Sequence, residues 1–184
     1  KKTIFLDKFD YSRFLQSMDE FNVVEPIGSI YENSFAKQLG HSVSKKKKLV
    51  NFIAYCVNPN HYHFILAQAA DKGIEKFMQR LGMGYSKYFN NKYKRSGILF
   101  QGKFKAVHVD SNEYLLHLSA YVNLNNRVHR LGHRVSKSSL EEYIAKKNDL
   151  CQKSIILDQF DNVAEYEKFA YGSLRDILER KQLF

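Results

Sequence analysis

Apolar positions along this chain recur with two different periods, and each period marks an element. In "DYSRFLQSMDEFN" they return every three or four residues. Phe14, Leu15, Met18 and Phe21 form one stripe, which predicts a helix from Asp10 onward. "VVEPIGSIYEN" reads as extended, because Pro26 disfavours helix and Gly28 loosens the backbone. "SFAKQLGHSVSKKKK" has no period, ends in four lysines and reads as a solvated loop. "LVNFIAYCVNP" is rich in β-branched and aromatic residues and predicts a strand. Asn58-Pro59-Asn60 is a turn, and "HYHFILAQ" returns as the antiparallel partner in a hairpin.

Helical period resumes in "GIEKFMQRLGMGYSKYFNNKYKR", where Ile74, Phe77, Met78, Leu81, Tyr85 and Phe89 form the stripe predicted to be buried. "SGILFQGKFKAVHVD" alternates through Phe104, Ala106 and His108 and predicts a strand. "SNEYLLHLSAYVNLNNRVHR" predicts a helix capped by Ser111 or Asn112, with Glu113 suited to its first turn. "SSLEEYIAKK" and "NVAEYEKFAYGSLRDILERK" predict two helices in the tail that starts near Leu131. The expected class is α+β: a small ferredoxin-like antiparallel sheet, helices on one face and a helical C-terminal tail. The expected division is one domain over residues 1–130 and a helical extension over 131–184 packed on it.

Charge then adds a partner. The 184 residues hold 29 Lys+Arg against 19 Asp+Glu, a formal net charge of +10. Such a surface attracts polyanions, nucleic acid first and anionic membrane second. Apolar runs stay well short of the ~18–20 residues of a membrane span and no signal-peptide pattern opens the sequence, so no membrane partner is expected. Two cysteines, Cys56 and Cys151, make neither a disulfide framework nor a zinc cluster, and a reducing cytoplasm is expected.

Three constellations could carry chemistry. His61 and His63 lie two apart on a strand and share a face, while Tyr62, Phe64 and Leu66 share the other. Two imidazoles can converge on a metal ion but supply only two ligands; from spacing alone, hydrogen-bonded packing at a sheet surface is the plainer explanation. In "YVNLNN", Tyr121 and Asn125 are four apart and stack on one helix face, with His117 a turn earlier. A tyrosine hydroxyl is a candidate nucleophile and an amide oxygen a candidate hard-metal ligand; core packing of the aromatic is the plainer explanation. Finally, "YSKYFNNKYKRSGILFQGKFKAVHV" interleaves cations, aromatics and glycines, which suits either single-stranded nucleic acid or a solvated helix and loop. Together, a metal pair, a tyrosine with an amide one turn on, and a basic aromatic surface are the parts of a DNA strand-transfer enzyme.

At these residues the chain resembles the single-tyrosine HUH transposases, the insertion-sequence and REP-associated tyrosine transposase family. The first shared motif is Pro59-Asn60-His61-Tyr62-His63-Phe64-Ile65-Leu66. The second is "YFNNKYKRSGILFQGKFKA", with Arg95, Gly97, Phe100, Gln101, Lys103, Phe104 and Lys105. The third is Tyr121-Val122-Asn123-Leu124-Asn125-Asn126. The resemblance spans residues 4 to 130. Asn126 stands where the family usually has proline. The strand that precedes the "IF" segment in the family is not in this sequence, so either a sheet one strand short or a trimmed chain is expected.

The resemblance implies a metal-dependent transposase that cleaves and rejoins single-stranded DNA. His61, His63 and Asn125 would hold one Mg2+ or Mn2+ ion, and Tyr121 would attack the scissile phosphate to form a 5′-phosphotyrosine. The DNA would commonly carry a hairpin. Lys94, Arg95, Gln101, Lys103, Lys105, Arg127 and Arg130 are the candidate DNA contacts. A homodimer and a monomer both occur in the family, with the tyrosine serving its own or its partner's site. The alternative reading is a catalytically silent or domesticated DNA- or RNA-binding module on the same fold. One geometric expectation follows: the two imidazoles face the helix bearing Tyr121, with Tyr62 anchoring the opposite face.

Overall fold

A computed structural model of the chain describes residues 2–39, 46–129, 136–145 and 150–182. The nine residues of β1 (Val50–Asn58) are buried at every position but one. A strand covered on both faces needs a continuous apolar run, which "VNFIAYCVN" supplies from Phe52 to Val57, the half-buried position being Asn51. Pro59 and Asn60 turn the chain into β2 (His61–Gln68). A short β3 (Lys137–Ser138) pairs antiparallel with the other edge of β1, Cys56 opposite Ser138 and Val57 opposite Lys137, giving the order β2-β1-β3. The fold is α+β with a three-stranded antiparallel sheet.

The chain divides into two compact units. The first comprises Lys1–Phe5, Phe52–Leu66 and Ala106–Phe184. It contains most of the hairpin, β3, and helices α4 (Asn112–Asn123), α5 (Asn125–Val128), α6 (Leu140–Ile144), α7 (Ser154–Leu157) and α8 (Val163–Gln182). Ile4 and Phe5 donate their backbone N–H groups to the Pro59 carbonyl at 2.8 and 3.1 Å and so brace the hairpin turn. Its core is built on aromatic side chains with polar tips. Tyr143 is fully buried and donates its hydroxyl to the Ile53 carbonyl at 2.7 Å, and its ring lies 5.1 Å from that of Tyr166.

The second unit comprises Leu6–Asn51 and Ala67–Lys105, with helices α1 (Lys8–Glu20), α2 (Ile30–Gln38) and α3 (Gly73–Lys92). Asp7 caps α1 in a reciprocal capping box with Asp10. Phe77, Leu81, Tyr85 and Phe89 repeat every four residues along α3 and are all buried; Phe14 of α1 meets Tyr85 edge-on at 4.9 Å. Gly73 opens α3 because a Cβ there would lie 2.0 Å from the Leu49 carbonyl oxygen. Lys92 closes the unit with bonds of 2.8 Å to both Asp7 and the fully buried Asp10, and Asp10 also accepts from Tyr93 and Tyr88.

Four expectations need correction. The first helix begins at Lys8, two residues before the expected start at Asp10, because the Asp7 cap sets its start. Residues 30–38, read as extended chain and loop, form α2; Ser29 accepts from the Glu32 N–H at 3.1 Å and caps it, and residues 40–45 of that loop lie outside the described residues. Residues 104–108 form no strand: all five are exposed and no described strand lies beside them to take their ladder bonds. The helix expected to run through residue 130 breaks at Leu124, whose φ of −107° and ψ of 13° separate α4 from α5. No described helix is long and apolar enough to cross a membrane.

Candidate active site

The candidate residues of β2, α4 and α5 all belong to the first unit. His61 and His63 sit on one face of β2 with their rings 5.1 Å apart and edge-on at 88°. The His63 ring lies 5.9 Å from the Tyr121 ring, so the imidazole face of the strand meets the tyrosine helix. On the other face, the half-buried Tyr62 stacks on Phe64 at 4.7 Å, and burial pushes its phenol up to about 12. His117 does not join the site. Its ring lies against Phe169, and Nδ1 meets the Ser173 hydroxyl at 3.1 Å, so it faces α8.

Tyr121 owes its placement to its neighbours. Ser111 caps α4 by accepting from the Tyr114 N–H at 3.2 Å. Ser119, Ala120, Val122 and Asn123 are buried around a half-buried Tyr121. The Asn123 amide donates to the Tyr166 hydroxyl of α8 at 2.7 Å, and its oxygen accepts from Ser139 at 2.5 Å. Ser139 accepts in turn from the Tyr55 N–H of β1 at 2.8 Å. The residue two before Asn123 is thus held against the strand that leads to the histidines.

Asn125 is fully buried at the start of α5, and its Oδ1 accepts from Asn58 Nδ2 at 2.8 Å. The same Asn58 nitrogen lies 3.2 Å from His61 Nε2. His61 Nδ1 lies 2.6 Å from Asn60 Oδ1, which only accepts, so Nδ1 carries the proton and Nε2 the lone pair. An imidazole nitrogen and an amide oxygen, from two parts of the chain, therefore point at one spot. His63 stands beside them, its ring 5.1 Å from that of His61, and these three side chains are the ones that could hold a cation. Among the described residues no three His, Cys, Asp or Glu side chains are grouped to hold a metal, so such a set depends on the Asn125 amide.

The candidate DNA contacts are spread along the chain. Lys94, Gln101, Lys103 and Lys105 are exposed in the second unit. Arg95 there is half-buried, with its guanidinium over the Phe89 ring at 5.6 Å. Arg127 belongs to the first unit and lies over the Tyr171 ring at 4.8 Å. Arg130 is outside the described residues.

Two residues join the candidate site that the sequence reading left out. His129 stacks edge-on against His61 with rings 5.3 Å apart. Its position, four beyond Asn125 and eight beyond Tyr121, was the available signal, since residues four apart share a helix face. Asn58 read only as a turn residue, and nothing in its sequence position announces a bond to Asn125.

A protein-family model described as "Transposase IS200 like" matches residues 29–125, just over half of the chain, including His61, His63, Tyr121 and Asn125. No curated protein and no solved structure matches.

Proposed function

Because the chain belongs to the transposase IS200-like family, DNA-cleaving enzymes of transposition and recombination, we propose that it cleaves and rejoins single-stranded DNA through Tyr121. The observation that carries this reading is the arrangement on β2. The His63 ring faces Tyr121 at 5.9 Å, while the His61 and Asn125 acceptors converge on one point beside them.

His61 Nε2, the His63 imidazole and Asn125 Oδ1 would hold one Mg2+ or Mn2+ ion. Such an ion, when bound, polarises the phosphate and offsets charge that builds on its oxygens. Tyr121 Oη attacks the phosphorus and loses its proton. The bond from phosphorus to the 3′-oxygen breaks, that oxygen takes up a proton, and the 5′-phosphate stays esterified to Tyr121. Attack by another 3′-OH reverses the exchange and joins two strands. The Asn123 contacts to Tyr166 and Ser139 hold the tyrosine helix still, which favours in-line attack.

Exposed Lys94, Gln101, Lys103 and Lys105 would contact DNA, with Arg95, Arg127 and Arg130 contributing further charge. The partner is single-stranded DNA, commonly hairpin-flanked, encountered in the cytoplasm. The test is incubation of the full chain with hairpin-flanked single strands from around its own gene, with Mn2+ and with EDTA. A Mn2+-dependent pair of cleaved and rejoined products is expected. Binding without cleavage on any such strand would favour the silent nucleic-acid module instead.

A further inference from the structure

Asn58 is fully buried at the end of β1, between the two atoms that the proposed function gives to a cation. Its Nδ2 lies 2.8 Å from Asn125 Oδ1 and 3.2 Å from His61 Nε2. The orientation of this amide is set from its other end. Cys56, two residues earlier on the same strand face, lies with Sγ 3.5 Å from Asn58 Oδ1. Burial pushes the Cys56 thiol up to about 12, so it stays a donor. Donors and acceptors run in one direction, from Cys56 through Asn58 to His61 and Asn125.

The arrangement leaves one group unserved. Asn125 Nδ2 is buried with no hydrogen-bond partner among the described residues. Turning the Asn125 amide over would set its nitrogen against the Asn58 nitrogen, donor against donor. The orphan therefore persists while Asn58 holds Oδ1 inward.

We infer that the Asn58 amide is a built-in competitor for the cation, holding the lone pairs of His61 and Asn125 until a metal ion displaces it. The decisive group is His61 Nε2. It has a single lone pair and cannot accept from Asn58 while ligating a metal. Asn125 Oδ1 has two and can do both. Binding thus breaks at least the His61 bond and strands a buried donor. The site binds its metal about tenfold more weakly than the same ligands would without Asn58, the worth of one net hydrogen bond. Asn58→Asp keeps the shape and replaces the donor by an acceptor that itself attracts a cation. Asn58→Leu keeps the bulk and removes the donor.

This inference rests on the metal role proposed above, and the experiment separates the two. The full chain, Asn58→Leu, Asn58→Asp and His61→Ala are titrated with Mn2+ alone by calorimetry, with circular dichroism to establish that each is folded. Asn58→Leu is expected to bind about tenfold more tightly than the wild type, and Asn58→Asp more tightly still. Thermal melts should show Asn58→Asp gaining more from added Mn2+ than the wild type gains. Unchanged or weaker affinity in the folded Asn58 variants, with binding lost in His61→Ala, would overturn this inference and leave the metal role standing. Wild-type affinity in His61→Ala would overturn both.

Discussion

Asn123 and Tyr166 share a buried hydrogen bond of 2.7 Å that ties the tyrosine helix to the C-terminal helix. The bond lies two residues from Tyr121, and Asn123 reaches β1 through Ser139 on its other side. The tail is thereby part of what holds the Tyr121 helix in place.

Tyr166→Phe keeps the ring and deletes the hydroxyl, leaving the Asn123 amide without its acceptor. A stability loss of about 1–3 kcal/mol is expected by urea denaturation, the cost of an unsatisfied buried donor. Asn123→Ala should cost a similar amount. The double variant should lose less than the sum, because the two substitutions break one shared bond.

Lys92 holds both Asp7 and Asp10 below the usual aspartate range. For Asp7 its hydrogen bond is the chief cause. For Asp10 burial pulls upward, and the bonds from Lys92, the Leu6 N–H and two tyrosines outweigh it. Carboxyl groups lowered in the folded state stabilise it above the unfolded aspartate value of about 3.9, and that stability is lost as pH falls through the folded values. Lys92 itself is raised, so its contribution is complete below about 10.4 and is lost as pH rises through its folded value. Lys92→Met should cost about 3 kcal/mol at pH 7, because it strands the buried Asp10. It should also flatten the acid-side loss between about pH 5 and 3, as read by urea melts across pH.

Lys103 and Lys105 are exposed in the segment between α3 and α4. If each neutralises a phosphate, Lys103→Ala and Lys105→Ala should weaken single-strand binding for all sequences alike. Each should also lower the slope of log affinity against log salt by about 0.7. Fluorescence anisotropy from low to high salt measures this. A drop in affinity with an unchanged slope would count against phosphate contact.

Much of the fold was legible wherever a period was strong and its partners were local. The α3 stripe from Phe77 to Phe89 and the hairpin around Pro59 are such cases. α2 was hidden because its apolar residues make no buried stripe, Tyr31 and Phe35 being exposed, although Ser29 and Glu32 stand at capping-box spacing. The alternation through Phe104 and His108 misled, because a strand also needs an edge to pair with. Of the candidate site, the spacing of His61 with His63 and of Tyr121 with Asn125 named four side chains that the fold gathers into one unit. The Asn58 bridge was invisible, since it depends on how two amides turn toward each other across 67 residues of sequence.

The proposed chemistry stands or falls on one covalent bond. Single-stranded substrate, Mn2+ and the full chain are reacted, denatured and digested, and the DNA-linked peptide is mapped by mass spectrometry. A phosphodiester from Tyr121 to the 5′ end of the cleaved strand is expected, with no adduct in Tyr121→Phe. An adduct on any other residue, or one that persists in Tyr121→Phe, would contradict the assignment.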